Sequence, residues 1–485
     1  MSVSSNDDLC FTPANELAAL IRKRELSPVE LTEAVLDRID RVGGQVNAYV
    51  TVVADQAREA AARAADDVVR LPAEELGALH GVPVSIKDLT PTKGIRTTYG
   101  SAFFQDHVPD EDAILVTRIR QAGAVLLGKT TTPEFGLHSV TEPELTGITR
   151  NPWNPERTVG GSSGGAAAAV AAGISPLATG SDGGGSIRVP AALCGVVGHK
   201  ITPGLIPLLG DSSPWDNVTV VGPITRTVAD NALLLDVMCG PDPMQPFSLP
   251  TRIDFTGALK GASVAGLCIA YSRDLGNGPV EPEVARVFEE SLRALEQAGA
   301  HLEEVSISLP DPLEYFAMFW GPQSVLELGE VPREMLPPHI AEILDKSAQM
   351  SATDFVQAAF GLRGDIYQAF AQIFTGHDLF VWPTTKMTAF PHVGDLGGPT
   401  HVAGVEVVGY DGWSDASVRA LQNQLFTEAV SHGGFPAITV PAGFSSDGLP
   451  VGLQIAAPQW ADAAVLRAAA AFEAARPWAH LRPVL

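Results

Sequence analysis

The 485-residue sequence predicts an α/β fold, a sheet with helices on both faces, and three observations carry that reading. Short apolar runs alternate with helix-length amphipathic segments along most of the chain, which is the rhythm of an α/β sheet. The composition, 45% hydrophobic and 18% charged, is that of a globular protein with a large buried core. Residues 158–200, TVGGSSGGAAAAVAAGISPLATGSDGGGSIRVPAALCGVVGHK, carry almost no large side chains, so this backbone can lie close against a sheet and a ligand.

Taken in order, Thr12-Pro13 and Ser27-Pro28 read as helix starts, each a capping side chain followed by proline at the first helical position. Glu30, three residues after Ser27, completes the pattern of a capping box. Helices are expected over 13–24 and 28–42, a strand over 48–53 and an alanine-rich amphipathic helix to about residue 70. The apolar run 82–86 predicts a buried strand ending at Lys87 and Asp88. Helix 112–122, strand 124–127, the alanine helix 166–172 and strand 174–178 follow. A further strand-helix-strand unit is expected over 264–270, 283–298 and 301–307. Core strands over 379–382 and 437–440 end at proline. The glycine-rich segment 393–412 is the candidate mobile loop.

Length alone suggests about three domains. The net charge of −24 argues against a polyanion as partner, because nucleic-acid binders draw affinity from Lys and Arg at phosphates. Cys10, Cys194, Cys239 and Cys268 are far apart and show no metal-ligand spacing, which fits a reducing cytoplasm. The polar, acidic start MSVSSNDDLC is unlike a signal peptide, and no apolar run approaches the roughly 20 residues of a membrane span. A cytoplasmic protein without membrane contact is expected. None of the eleven histidines falls in a zinc-protease spacing, and no cofactor is expected.

The chemistry concentrates in the small-residue stretch. Gly160, Gly161, Gly164 and Gly165 flank Ser162 and Ser163, and Gly183, Gly184 and Gly185 run into Ser186. Between the two clusters, residues 166–172 hold six alanines and one valine, a strong helix former. Consecutive flexible amides before a serine can point several N–H groups at one oxygen, as an oxyanion hole requires. A P-loop is excluded because no Gly-Lys-Ser/Thr follows the glycines. Lys87, at the end of an apolar strand, is costly as a cation, and burial would leave it a neutral amine able to accept a proton.

The segments GGSSGGAAAAVAAG and GSDGGGSIRVPAALCGVVGHKITPG resemble the signature region of the amidase signature family of serine hydrolases. GVPVSIKDL around Lys87, GKTTTPEFG, RNPWNPERTVGG, GPITRTVAD and FPAITVPAGFSSDGLPVGLQIAAP match in the expected order, over nearly the whole chain. The resemblance implies the amidase signature fold, a large mixed central sheet covered by helices on both faces, in a single domain spanning 1–485. Within it, about 1–75 would be a helical cover and the candidate for an oligomer contact such as a homodimer. About 80–230 would be the signature core, 231–430 the variable substrate-pocket region and 431–485 the C-terminal core strands and helix.

The same resemblance makes Ser186 the nucleophile and Ser162, after a cis peptide bond, the bridge to Lys87. The spacing of the two serines favours Ser162 over Ser163, which becomes an auxiliary hydrogen-bonding residue near the lysine. The main-chain N–H groups of Gly183, Gly184, Gly185 and Ser186 would form the oxyanion hole, and Asp182 and Arg188 a buried ion pair holding the loop. Glu134 is expected to be structural. The aromatic residues Tyr315, Phe316, Phe319 and Trp320 would either pack a helix or line an apolar pocket. The implied activity is hydrolysis of the C–N bond of small amides, aryl or aliphatic, extending to carbamates (urethanes) and esters. The region 141–165 is particularly similar to nylon-oligomer-degrading amidases. Two other readings compete. The family also includes the glutamine-hydrolysing component of a tRNA-dependent amidotransferase, which works within a complex. Residues 161–165 also satisfy GxSxG, the nucleophile elbow of α/β-hydrolases with Ser163 as nucleophile, although the polar residues before it do not make the required apolar strand.

Overall fold

The computed structural model describes residues 6–208, 210, 213–328, 331–394 and 397–485, without the side chains of 6, 314–317 and 326–327. Eleven strands form one mixed sheet. In chain order they are β1 (Tyr49–Val52), β2 (Pro83–Lys87), β3 (Val125–Thr130), β4 (Leu177–Asp182), β5 (Val197–Lys200) and β6 (Val220–Thr225). There follow β7 (Cys268–Tyr271), β8 (His301–Glu304), β9 (Leu379–Pro383), β10 (Ala437–Phe444) and β11 (Pro450–Ala456). Their spatial order is β1-β3-β2-β4-β6-β5-β10-β11-β9-β7-β8.

β3, β2 and β4 run parallel, as do β9, β7 and β8, while the centre of the sheet is antiparallel. Every residue of β2, β3, β5, β6, β9 and β11 is buried, so both faces of the central sheet are covered. The edge strands β1 and β8 do show exposed positions. The helix Gly164–Ala171 is buried at every residue, as its alanines allow, and its Gly165 lies so close to Thr131 that a Cβ there would collide with it.

The structure corrects several of these expectations. Ser27 does cap its helix, accepting from Val29 N at 3.2 Å, but the capping box with Glu30 does not form. Thr12 is no cap: its hydroxyl donates to Asp8 O at 2.8 Å, and the helix begins at Ala14 behind Pro13. The strand expected over 174–178 is β4 and starts at Leu177, because the chain turns at Ala172–Gly173 and bends again at Ile174 and Pro176 before it extends. In the segment 393–412, of which residues 395–396 lie outside the described residues, Glu142 accepts from the amides of Val393 and Gly394. The segment then folds into a small ribbon, His401–Val402 against Val405–Glu406, and Val393, Val402 and Val407 are buried in one apolar cluster.

Candidate active site

Parallel strands β2 and β4 are neighbours and end at the same edge of the sheet, the position where open α/β sheets offer a crevice for ligands. Lys87 is the last residue of β2 and is fully buried. Its Nζ lies 2.7 Å from Ser162 Oγ and 2.9 Å from Ser181 Oγ. Burial, opposed by the Asp182 carboxylate, pushes the amine down to about 7. Ser162 follows a cis peptide bond from Gly161, and only 1% of it is exposed.

Side chains alternate across a strand, and the last two residues of β4 use both sides. Ser181 reaches Lys87, while Asp182 meets Arg188 in an ion pair at 2.8 Å with neither side chain exposed. Arg188 also donates to Gln454 Oε1 at 2.8 Å and Ser431 Oγ at 2.6 Å. Burial would raise the Asp182 pKa, but the Arg188 charge and its hydrogen bonds hold the carboxyl below its usual range. Asp182 Oδ2 further accepts from the amides of Ile187 and Arg188. The expected ion pair is therefore present and fastens both ends of the loop that carries Ser186.

Ser186 is partly exposed and lines a cavity of about 1610 Å³ together with Ser162, Ser181, Gly183 and Gly184. Ser163 does not touch the lysine directly. Its hydroxyl donates to Ser181 O and accepts from Ser181 N, both at 3.3 Å, and its amide donates to Ser186 O at 3.0 Å. That engagement of Ser163 with the backbone, with no histidine bonded to it among the described residues, removes the elbow reading. Glu134 accepts from the amide of Glu144 at 3.1 Å.

The far walls come from the variable half. Phe319 and Trp320 line the cavity, so the aromatic segment does face it; the side chains of Tyr315 and Phe316 lie outside the described residues. Phe135, Phe360, Tyr367 and Trp413 add further aromatic surface. Residues that the sequence reading missed include Ser181, Arg363, Thr427 and Glu428. Only Ser181 carried a signal, the two-residue period of a strand that already ended in Asp182. The others stand in segments with no recognisable spacing to the glycine clusters. Arg363 donates to Asn217 Oδ1 at 3.0 Å and His432 O at 3.2 Å and sits over the Phe319 ring. Glu428, buried, accepts from Trp320 Nε1 and His432 Nε2, each at 2.8 Å. Among the described residues no group of three or more His, Cys, Asp or Glu could hold a metal ion.

A family model described as Amidase matches residues 30–466, and the chain belongs to the amidase signature family. It is similar to an acylamidase of Rhodococcus erythropolis, 42% identical with 99% of this chain and 98% of the relative covered. It is also similar to a glutamyl-tRNA(Gln) amidotransferase component of Moorella thermoacetica, 36% identical with 99% of each chain covered. Among solved structures, a bacterial aryl acylamidase of the amidase signature family superposes with a TM-score of 0.89 at 30% identity, covering 96% of this chain and 97% of the other. The 6-aminohexanoate cyclic dimer hydrolase in complex with its substrate gives 0.86 at 31% identity, covering 98% and 99%.

Proposed function

We propose that this chain is an amidohydrolase that cleaves small amides through an acyl-enzyme on Ser186, with Ser162 and Lys87 as its proton relay. The observation that carries the reading is the fully buried Lys87 amine, pushed down to about 7 and 2.7 Å from the Oγ of Ser162, a residue that lines the same cavity as Ser186. A neutral amine takes the Ser162 proton while Ser162 takes that of Ser186. The Ser186 oxygen then bonds to the carbonyl carbon, and the main-chain N–H groups of residues 183–186 receive the oxyanion. The relay returns its proton to the amide nitrogen, the C–N bond breaks, and water releases the acyl group by the reverse steps. Nothing in this sequence of steps calls for a cofactor.

The aromatic walls favour aryl or otherwise apolar acyl amides, with carbamates and esters as substrates of the same attack. The resemblance to an acylamidase and an aryl acylamidase supports that choice. Charged groups do reach the cavity, and each holds at least one hydrogen-bond partner, although Glu428 Oε2 has none among the described residues. Asp216 accepts from Gln323 and from the amides of Val218 and Thr219, and Arg363 and Glu428 hold the partners described above. This favours a chain that works alone over the glutamine-hydrolysing part of a complex. The test is to label the pure protein with a fluorophosphonate, map the modified residue, and assay an aryl amide against glutamine. Label on Ser186 with turnover of the anilide is the expected result. Label elsewhere, or hydrolysis of glutamine alone, would overturn it.

A further inference from the structure

Resting on that reading, we infer that Thr427 is a positioning residue of the oxyanion hole. Each carbonyl along the loop from Gly184 to Ser186 is tied down. Gly184 O accepts from Thr427 Oγ1 at 2.6 Å, Gly185 O from Val189 N at 2.7 Å and Ser186 O from Ser163 N at 3.0 Å. Among the described residues, the amides of Gly184, Gly185 and Ser186 donate to no protein group. The only cis bond in the described residues is Gly161–Ser162, so the Gly184–Gly185 peptide is trans and its C=O and N–H point in opposite directions. Holding Gly184 O against Thr427 therefore turns the Gly185 N–H away from Thr427 and leaves it free to donate. The Val189 contact does the same for the Ser186 N–H.

Of the three ties, only the one from Thr427 is made by a side chain, and it comes from the distant C-terminal part of the sequence. Its single hydroxyl proton faces a second acceptor, Gln424 O, at 3.0 Å, and Gly184 O at 2.6 Å is the shorter of the two contacts that share it. The neighbourhood explains why three glycines stand in a row. A Cβ at Gly183 would strike the Trp320 ring, at Gly184 the Glu428 carboxylate and at Gly185 Thr427 itself, and Gly185 adopts φ +134°. Glu428 Oε2, buried and without a hydrogen-bond partner among the described residues, packs on this backbone, while Oε1 is held by Trp320 and His432. Thr427 sets the direction of a peptide plane that Glu428 and Trp320 keep from moving sideways.

The experiment compares Thr427→Val, which keeps the shape and removes the hydroxyl, with Thr427→Ser, which keeps the hydroxyl. In Thr427→Val, kcat on an aryl amide falls about 10- to 100-fold with KM within about threefold, and fluorophosphonate inactivation slows in parallel. Thr427→Ser stays within about threefold of the parent in both. If Thr427→Val does not fold, Thr427→Ala is measured for the same split. Parental kcat in either hydroxyl-free variant, or equal loss in Thr427→Ser, overturns the assignment. Ser186→Ala is run alongside. Residual turnover there would sink the catalytic reading itself, whereas a dead Ser186→Ala with an unimpaired Thr427→Val sinks only this inference.

Discussion

The Lys87 amine has to be uncharged to accept a proton, and its surroundings decide when that happens. With the amine pushed down to about 7, kcat/KM on an aryl amide should climb about tenfold per pH unit below that value and level off above it. A flat profile from pH 6 to 10, with chemistry rate-limiting, would rule the base out. Ser162→Ala should cost several orders of magnitude in kcat while its thermal melt stays within a few degrees of the parent, and near-normal turnover would remove Ser162 from the relay. At this scale the sequence was most readable. Lys87, Ser162, Ser186, Asp182 and Arg188 all stand in recognisable motifs, and the structure joins Lys87 to Ser162, pairs Asp182 with Arg188 and sets Ser162 and Ser186 on one cavity wall. Thr427 and Glu428 were not legible, because their relation to the glycines exists only once the chain has returned from a distant part of the sequence.

The strand-loop-helix unit from β4 into the helix Arg188–Cys194 depends on a charge pair shielded from solvent. Removing one partner of a buried pair leaves the other uncompensated and typically costs about 3–5 kcal/mol. Arg188→Met should therefore lower stability by about that amount, and Asp182→Asn together with Arg188→Met should recover part of it. Denaturant melts of the two variants measure both effects, and a single variant as stable as the parent would show that the pair does not hold the loop. Strand legibility followed the same physics. The apolar runs that became β2, β3 and β9 were found, with their ends shifted by a few residues. β6 was missed because VVGPIT carries a glycine and a proline inside a central strand, and β5 because it ends in His199 and Lys200, two polar residues that the fold buries completely.

Across the whole molecule, the burial of cations ties stability to pH. Lys200 is fully buried, donates to Phe435 O at 2.7 Å, and is pushed to about 7 by burial and by Arg188, against the pull of Asp182 and Asp462. In the unfolded chain a lysine keeps its proton to about 10.4. Between those values the unfolded state binds the extra proton, so stability rises with pH there and is lost as pH falls through about 7. Lys200→Met should reduce the dependence of Tm on pH between about 7.5 and 9.5 without abolishing it, because Lys87 is pushed down to about 7 as well and contributes the same slope. An unchanged slope would mean that Lys200 is charged in the folded protein. The sheet as a whole was foreseen as mixed and doubly covered, while the order of its strands was not, since the antiparallel centre pairs segments from both halves of the chain. No helix among the described residues is long and apolar enough to cross a membrane.

The Glu428 carboxylate occupies the volume that a side chain at Gly184 would need. The two positions are thus one steric decision recorded at two distant places in the gene. A methyl group at 184 requires either a smaller residue 428 or a Glu428 carboxylate that swings away from Trp320 and His432. Substitutions at the two positions should therefore be epistatic, and libraries that randomise the pocket wall without the glycine run, or the reverse, will miss combinations that succeed together.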